Sequence, residues 1–328
     1  MKYTKLIILT ITIFLISGCV SYKELNEIGI INAIGIDYID NEYELTVNIL
    51  TPEKEDLELA KIYTANNSDI FECINDLYLI SSKKIYLEHV NLLILSDNIK
   101  KDNYKDIFNL FLNRKDSRNS FNTIILENYN KNILTENVYN INNLIKLHSE
   151  EEGNIFPTTL DNVIKDVLEY DISFIPLLKN EEELFILGYK SIYNEDKKLS
   201  LDESKALNIL KNNVKKTNIE NNNNTYKVMI YNTTKDIKKN KIEISIISEI
   251  SIIKKEDNNN SIKEYEEELK NLLNKFLENN NLNYFYNLIY KYDYNYYKKN
   301  KKFDIKFSFK LDTTLIEVDN IKGRDIFD

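Results

Sequence analysis

The sequence predicts a multidomain protein of the α+β or mixed α/β class, in which mixed sheets are flanked by helices. Three observations support this prediction. The 328 residues are enough for about two domains of ordinary size. The composition, 43% hydrophobic and 29% charged, is that of a globular chain and not of a disordered one. Short apolar runs of strand length alternate with segments of helical periodicity, which is the rhythm of α/β proteins.

The first 18 residues have the layout of a secretory signal. Lys2 and Lys5 precede an apolar stretch, residues 6–16, that is too short to span a bilayer as a helix. The stretch ends in Ile16-Ser17-Gly18-Cys19, which resembles a bacterial lipobox. In such signals the cysteine thiol receives a diacylglyceryl group and cleavage occurs before it. The resemblance implies that Cys19 is lipidated and begins the mature chain; an ordinary cleaved signal with a coincidental cysteine is the alternative.

An N-terminal α/β domain is predicted over residues 19–182. It opens with two strands, "EIGIINAIGID" at 27–37 and "YELTVNIL" at 43–50, joined by a turn that Asp37 is placed to start. Gly35 lies inside the first strand, which indicates the close approach of another backbone or a bulge. The predicted elements that follow are a helix at 68–82, a strand covered on both faces at 90–96, a helix at 104–114, a strand at 121–127, helices at 138–149 and 159–169, and "SFIPLL" as a short strand or loop.

A C-terminal α/β domain is predicted over residues 183–328, after the exposed acidic stretch Asn180–Glu183. Ser200-Leu201-Asp202-Glu203 is a capping box that begins a helix, and Ser261-Ile262-Lys263-Glu264 is a second one. The remaining predicted elements are strands at 184–193, 241–253 and 303–311, the middle one with a bulge. The tyrosine-rich segment 284–297 allows either a core or a surface role.

Composition and motifs argue against several function classes. The net charge of −9 disfavours a nucleic-acid partner that is bound through its phosphates. His89 and His148, the two histidines, lie in different predicted elements without a neighbouring cysteine, so a metal site or a catalytic triad is hard to assemble. The glycine-rich and serine motifs of nucleotide-binding proteins and hydrolases are missing. We therefore expect no catalytic, cofactor-binding or metal-binding residue.

Two local features have both a functional and a structural interpretation. Cys73 lies one position off the apolar stripe of its helix, so a small, partly buried residue is a better interpretation than a nucleophile. The stretch "RKDSR", from Arg114 to Arg118, offers an anion-binding site, but a surface salt-bridge cluster around Asp116 explains it more simply.

The order of these features resembles one known family. A lipobox cysteine closely followed by "YKELNEIGIINAIGID" is similar to the start of the C-subunit lipoproteins of spore nutrient-germinant receptors, the Ger(x)C family. "SSKKIYLEHVNLLILSDNI", "IFNLFLNRKDSRNSFNTIIL", "FIPLL" and "LGYKSIYNEDKKLSLDESKAL" follow in the same order, and the resemblance covers most of residues 15–210. It singles out Gly35, Asp37, His89, Arg114 and Arg118 as family-motif positions.

The resemblance implies mixed α/β domains and a non-enzymatic role in nutrient-triggered germination. The implied partners are membrane-embedded receptor subunits and the lipid bilayer, which acylated Cys19 enters. The implied location is the outer face of the cytoplasmic membrane, in spores the inner membrane. Two other functions remain open from the residues: a lipid-anchored solute-binding protein of a transporter, which needs two similar lobes around a pocket, and an exported hydrolase, which needs a nucleophile motif.

Overall fold

The computed structural model describes residues 28–51, 59–81, 83–136, 138–193, 195–220, 224–254, 261–280, 283–300 and 303–316. Within these ranges it contains thirteen strands and nine helices, and the strands form two mixed sheets. The predicted mixture of helices with mixed sheets is confirmed. The signal segment and Cys19 lie outside the described residues.

The first sheet contains nine strands. Five helices lie between its strands in the chain. The strands are β1 (Ile28–Ile39), β2 (Glu42–Thr51), β3 (Leu59–Asn67), β4 (Lys84–Tyr86), β5 (Leu92–Ser96), β6 (Asn122–Glu127), β7 (Ile172–Asn180), β8 (Leu184–Tyr193) and β9 (Lys198–Leu199). The helices are α1 (Ile70–Ser81), α2 (Lys101–Leu112), α3 (Ile133–Glu136), α4 (Val138–Glu151) and α5 (Leu160–Tyr170).

The second sheet is smaller and lies in the C-terminal half. Its elements, with the helices around them, are α6 (Leu201–Leu210), β10 (Lys216–Glu220), β11 (Thr225–Lys238), β12 (Lys241–Lys254), α7 (Ser261–Asn279), α8 (Asn283–Tyr292), α9 (Tyr294–Lys299) and β13 (Lys306–Leu315). The strand order is β10-β11-β12-β13, with β13 parallel to β12 and the other pairs antiparallel.

The parallel strands of the first sheet begin at one side of the sheet and end at the opposite side. The order is β3-β2-β1-β5-β6-β7-β8-β9, with β4 paired to the start of β1. Strands β1, β5, β6 and β7 run parallel. The edge at which β1, β5 and β6 begin is called the amino edge below, and the edge at which they end is called the carboxyl edge. Helices α1 and α2 each start after the carboxyl end of a strand and therefore run back towards the amino edge.

Two apolar cores cover the faces of the first sheet. All five residues of β5 are buried, as the continuous apolar run predicts for a strand that is covered on both sides. Helices α1, α2 and α5 pack on one face. The other face packs against α3, α4 and α6, and this core continues without a break into the second sheet and the stripe Tyr265, Leu269, Leu273 and Phe276 of α7.

The structure contains the hairpin turn and the helix start that local sequence patterns predict. The β1–β2 hairpin turns at Asp40 and Asn41, which both have a positive φ, as two-residue hairpins require. Helix α6 begins with the predicted capping box: the Ser200 hydroxyl accepts a bond from the Glu203 amide, and the Glu203 carboxylate accepts one from the Ser200 amide. Asp37 lies inside β1, three residues before the turn, so its predicted role as the turn's first residue is wrong.

The pairing of strands after β7 differs from the prediction made from the sequence. Residues 184–193 form a strand as predicted, but β8 pairs antiparallel with β7 and continues the first sheet. The acidic stretch, interpreted from sequence as a linker, is the turn of this hairpin, where the Glu181 amide donates to the Glu183 carbonyl. The predicted boundary at residues 182 and 183 thus falls inside a hairpin, and the second sheet begins only at β10.

Candidate functional site

A cleft of about 730 Å³ lies at the amino edge. Strands β1 and β2, helix α4 and the segments before β5, β6 and α5 contribute to it. We call it the amino-edge cleft. It is lined by Ile30, Asn32, Leu50, Glu88, His89, Val90, Asn91, Arg118, Ser120, Phe121, Asn122, Asn142, Asn143, Lys146 and Pro157. Its volume is typical of small-molecule sites.

A β-bulge shapes the wall that β1 contributes. The register with β2 shifts between Ile31 and Ala33, which leaves Asn32 as the extra residue. The Asn32 carbonyl accepts a bond from the Asn91 amide at 2.8 Å, and its side-chain oxygen accepts one from Asn91 Nδ2 at 2.7 Å. Bulges re-aim side chains at the ends of strands, and here the bulge places Asn32 in the cleft.

A chain of amide contacts fixes the other walls. The Asn122 amide donates to the Asn91 carbonyl at 3.2 Å, which joins the starts of β5 and β6. Asn122 Nδ2 donates to Asn142 Oδ1 at 2.9 Å, which ties α4 to the sheet. Because each wall is bonded to its neighbour, the cleft is a built feature of the fold and not a gap between loose segments.

Cations outnumber carboxylates among the side chains that line the cleft. Arg118 and Lys146 are the cations, Glu88 is the carboxylate, and His89 lines the same space. Lys146 lies 3.9 Å from Glu150 in the next turn of α4, which in an exposed pair is a weak interaction. Arg118 is exposed and makes no ion pair with another described residue. The arrangement suits a ligand with a negatively charged oxygen group, since amide and guanidinium donors surround the same space.

Arg114 lies outside this cleft and has a structural role. Its Nε and Nη2 donate to the two carboxylate oxygens of Asp116 at 2.9 and 2.7 Å, and Nη2 also donates to the Tyr78 hydroxyl at 3.1 Å. Burial raises the pKa of Asp116, but Arg114 lowers it by more, so the net pKa is below its ordinary value. The salt bridge predicted around Asp116 therefore involves Arg114 alone and ties the end of α2 to α1.

Gly35 and Asp37 lie further along β1. A Cβ atom at Gly35 would lie 2.1 Å from the Tyr129 hydroxyl oxygen and 2.9 Å from its Cζ, so the close approach predicted for this position comes from a side chain, not from a backbone. Asp37 is buried at the carboxyl edge, where its carboxylate accepts bonds from the Tyr38 amide and from Asn98 Nδ2. The structure thus brings His89 and Arg118 together and leaves Gly35, Asp37 and Arg114 elsewhere.

The carboxyl edge holds an ion network that the sequence analysis missed. Asp97, just after β5, accepts bonds from Lys190 at 2.5 Å and from Lys198 at 2.6 Å. Lys198 also contacts Glu127 at the end of β6, and Lys190 contacts Asp196 at 3.1 Å. Lys190 is only 4% exposed. The available signal was a lysine inside the strand pattern "LGYKSIY", because a lysine is seldom buried without a partner.

Replacing Asp97 with Asn is expected to destabilise the protein by about 2 kcal/mol, because buried Lys190 keeps only an exposed partner. This is below the roughly 3–5 kcal/mol of a fully buried pair, since Asp97 is itself 24% exposed. Burial raises the Asp97 pKa, and the two lysines lower it by more, to below its ordinary 3.8. The Asp97 carboxylate therefore contributes fully to the stability of the fold above pH 3.8. This stability is lost as the pH falls through the lower pKa that Asp97 has in the folded protein.

Denaturant titrations of the wild type and Asp97→Asn at neutral pH and at pH 2–4 measure both effects. The stability difference is expected to shrink in acid. Asp196→Asn is the matched control, because Asp196 contacts the same lysine but is 70% exposed, and its loss should cost under about 1 kcal/mol. Equal losses from both variants would contradict the assignment of Asp97 as the buried partner.

Cys73 is fully buried in α1, and its thiol donates to the Tyr43 carbonyl at 3.5 Å. Burial raises the pKa of the thiol to about 11, so the reactive thiolate is scarce at neutral pH. Among the described residues, no group of three His, Cys, Asp or Glu side chains is placed to hold a metal ion. None of the helices described is both long and apolar enough to cross a bilayer.

A second cleft, of about 550 Å³, lies between α5, α6 and α8. Lys211 is one of its lining residues: the ammonium group lies 3.1 Å from Asp166, 5.3 Å from the ring centre of Phe174 and 5.4 Å from that of Tyr284. These contacts join the end of α6 to α5 and α8. Because the cation already has an ion-pair partner and two aromatic contacts, it is less suited to hold an external anion. The amino-edge cleft is the better candidate for an external ligand.

Comparison with known proteins gives three findings. Residues 21–180 match the family model described as the spore germination protein N-terminal domain. Spore germination protein KC of Bacillus subtilis (strain 168) is 21% identical over 223 residues, which cover 61% of this chain and 52% of that protein. The chain thus matches about half the length of this relative.

The third finding concerns the fold. The crystal structure of the GerBC protein superposes with a TM-score of 0.51 at 16% identity, covering 86% of this chain and 96% of that one. At this identity the likeness shows a shared fold. Residues 21–180 therefore match the N-terminal domain of spore germination proteins, and the match, the relative and the shared fold together support a GerAC-like family, in agreement with the resemblance seen in the sequence.

Proposed function

We propose that the protein is the lipid-anchored C subunit of a spore nutrient-germinant receptor. It acts without catalysis, together with membrane-embedded partner subunits, on the outer face of the cytoplasmic membrane that becomes the spore inner membrane. The observation that carries the proposal is the position of the family domain: its match begins at residue 21, two residues after the lipobox cysteine Cys19.

Anchoring at Cys19 has a direct physical consequence. Eight residues, 20–27, separate Cys19 from the start of β1, and even fully extended they span no more than about 30 Å. Several acyl chains hold a protein stably, whereas one chain holds it only marginally. The folded domains would then stay close to the bilayer at a high local concentration beside membrane-embedded partners.

The alternative function is a solute-binding lipoprotein of a transporter. It would place two similar lobes around a ligand. Among the described residues one sheet has nine strands and the other four, and Lys211, which lines the cleft between α5, α6 and α8, is already paired with Asp166. These features favour the receptor-subunit proposal.

Purification of the affinity-tagged chain from detergent-solubilised spore membranes tests the proposal. We expect integral membrane proteins encoded beside its gene to co-purify and to be identified by mass spectrometry. The same tag on an unrelated spore lipoprotein is the control for carry-over of membrane. Recovery of a permease with an ATPase instead would replace the proposal with the transporter alternative, and recovery of no membrane protein above the control would reject both.

A further inference from the structure

We propose that the amino-edge cleft binds the phosphate of an anionic phospholipid headgroup and that the amino edge of the first sheet therefore lies against the bilayer. The inference rests on the proposed function for one element, the anchor at Cys19. The other observations are the position of the cleft, its cations, and the exposed apolar side chains at the same edge of the sheet.

The anchor enters the fold at the amino edge. The described chain begins at Ile28, the first residue of β1, and Ile30 and Asn32 on the same strand line the cleft. The opposite end of β1, at Ile39, lies about 36 Å away at roughly 3.3 Å per residue. A tether of eight residues brings the amino edge, and not the carboxyl edge, to the membrane surface.

The cleft supplies what a phosphate needs. Arg118 and Lys146 contribute cationic groups, and His89 and the side-chain amides of Asn91 and Asn143 line the same cleft. The protein as a whole has a net charge of −9, and an anionic membrane surface repels such a chain. Cations at the amino edge offset this repulsion because that edge is the one held near the membrane. Cations at the carboxyl edge would be too far from the membrane to do so.

Exposed apolar side chains lie at the same edge. Helix α1 ends beside β4, which pairs with Ile28–Ile30, and it exposes 80% of Leu79 and 54% of Ile80. Leu112 is exposed at the end of α2. Helices α1 and α2 pack on the face of the sheet opposite α4, so these apolar side chains share the amino edge with the cations of the cleft but lie on the other face. Apolar side chains and cations at one surface are the combination by which peripheral proteins contact the headgroup region.

Single tryptophans in the full chain, purified from membranes and reconstituted in vesicles, test the orientation. The chain contains no tryptophan, so an introduced indole is the only one. Ile80→Trp probes the amino edge, and Ile39→Trp, at an isoleucine of similar exposure, 50%, probes the carboxyl edge. Brominated phosphatidylcholine should quench Ile80→Trp and leave Ile39→Trp largely unquenched. Equal quenching of both, or stronger quenching of Ile39→Trp, would overturn the proposal.

A charge series tests the cleft. Increasing phosphatidylglycerol should increase the quenching of Ile80→Trp, and Arg118→Gln with Lys146→Gln should weaken the contact with vesicles of a given phosphatidylglycerol content by roughly fivefold for each cation removed. Arg114→Gln is the control, since Arg114 is already paired. An unchanged lipid requirement in the double variant would overturn the cleft assignment. Inorganic phosphate added to phosphatidylcholine vesicles should have no effect; a response equal to that of phosphatidylglycerol would assign the cleft to a free anion instead.

Labelled palmitate in the same preparations separates this inference from the proposed function. Label on the chain with quenching of Ile39→Trp and not Ile80→Trp would leave the anchor intact and refute the orientation. No label, with Ile80→Trp quenched in anionic vesicles, would refute the anchor and support the cleft as a lipid site.

Discussion

Replacement of Cys19 with Ala is expected to abolish, or lower at least several-fold, germination in response to nutrients. The alanine cannot accept a diacylglyceryl group, so the chain loses the tether that concentrates it beside its partners. Germination is measured in spores whose other receptor operons are deleted, because related receptors compensate. The response to stimuli that bypass nutrient receptors should be retained, since the cortex-degrading steps lie downstream.

The second cysteine provides a matched control for this experiment. Cys73→Ala removes a buried thiol in α1 and leaves Cys19 in place, so labelled palmitate should enter this variant and the wild type but not Cys19→Ala. Equal labelling of Cys19→Ala, or an unchanged nutrient response in spores that lack the whole gene, would contradict the proposed function.

Gly35→Val is expected to destabilise the protein by about 3 kcal/mol, the upper part of the range for overpacked cores. Gly35 lies in the middle of the sheet, paired with Thr46 of β2 and Ile94 of β5. The ring of Tyr129 lies where a Cβ atom would be, and Leu134 Cδ1 would be 3.1 Å from it. Because neighbours on both strands fix the backbone, the valine side chain has no room to move aside.

Chemical denaturation of the purified chain measures this effect, and a double-mutant cycle identifies its cause. Gly35→Ala alone should also be destabilising, and Tyr129→Phe should recover part of the loss by removing the hydroxyl group nearest the new methyl. Such coupling is expected only for residues in direct contact. A Gly35→Val protein that unfolds at the wild-type midpoint would show that the Tyr129 contact is not a packing constraint.

Local sequence patterns anticipated most elements of the fold for identifiable reasons. The capping box at Ser200 and Glu203 is complete within four residues, and the Asp40–Asn41 turn follows from the tolerance of Asp and Asn for positive φ. The apolar run of β5 implied a strand covered on both faces. These features depend on neighbours in sequence, so the sequence is sufficient to predict them.

The candidate cleft was only partly predictable. The family resemblance marked His89 and Arg118 separately, but nothing in the sequence placed them beside Lys146, which comes from a helix on another part of the chain. Arg118 was grouped with Arg114 because the two are four residues apart, whereas the structure pairs Arg114 with Asp116 and leaves Arg118 facing the cleft. Charges close in sequence diverge when a loop turns between them.

The sequence by itself determined the class of the fold, strands β1, β2, β5 and β6, the resemblance to the family, and the expectation of a lipid anchor at Cys19. Each of these depends on composition, short-range periodicity or an ordered series of motifs. Tertiary structure alone decided that β8 extends the first sheet, that Tyr129 covers Gly35, that Asp97 neutralises buried Lys190, and that the cleft opens at the amino edge. These depend on contacts between residues 50 to 100 positions apart or on the choice of a strand's partner, and local propensity carries no information about either.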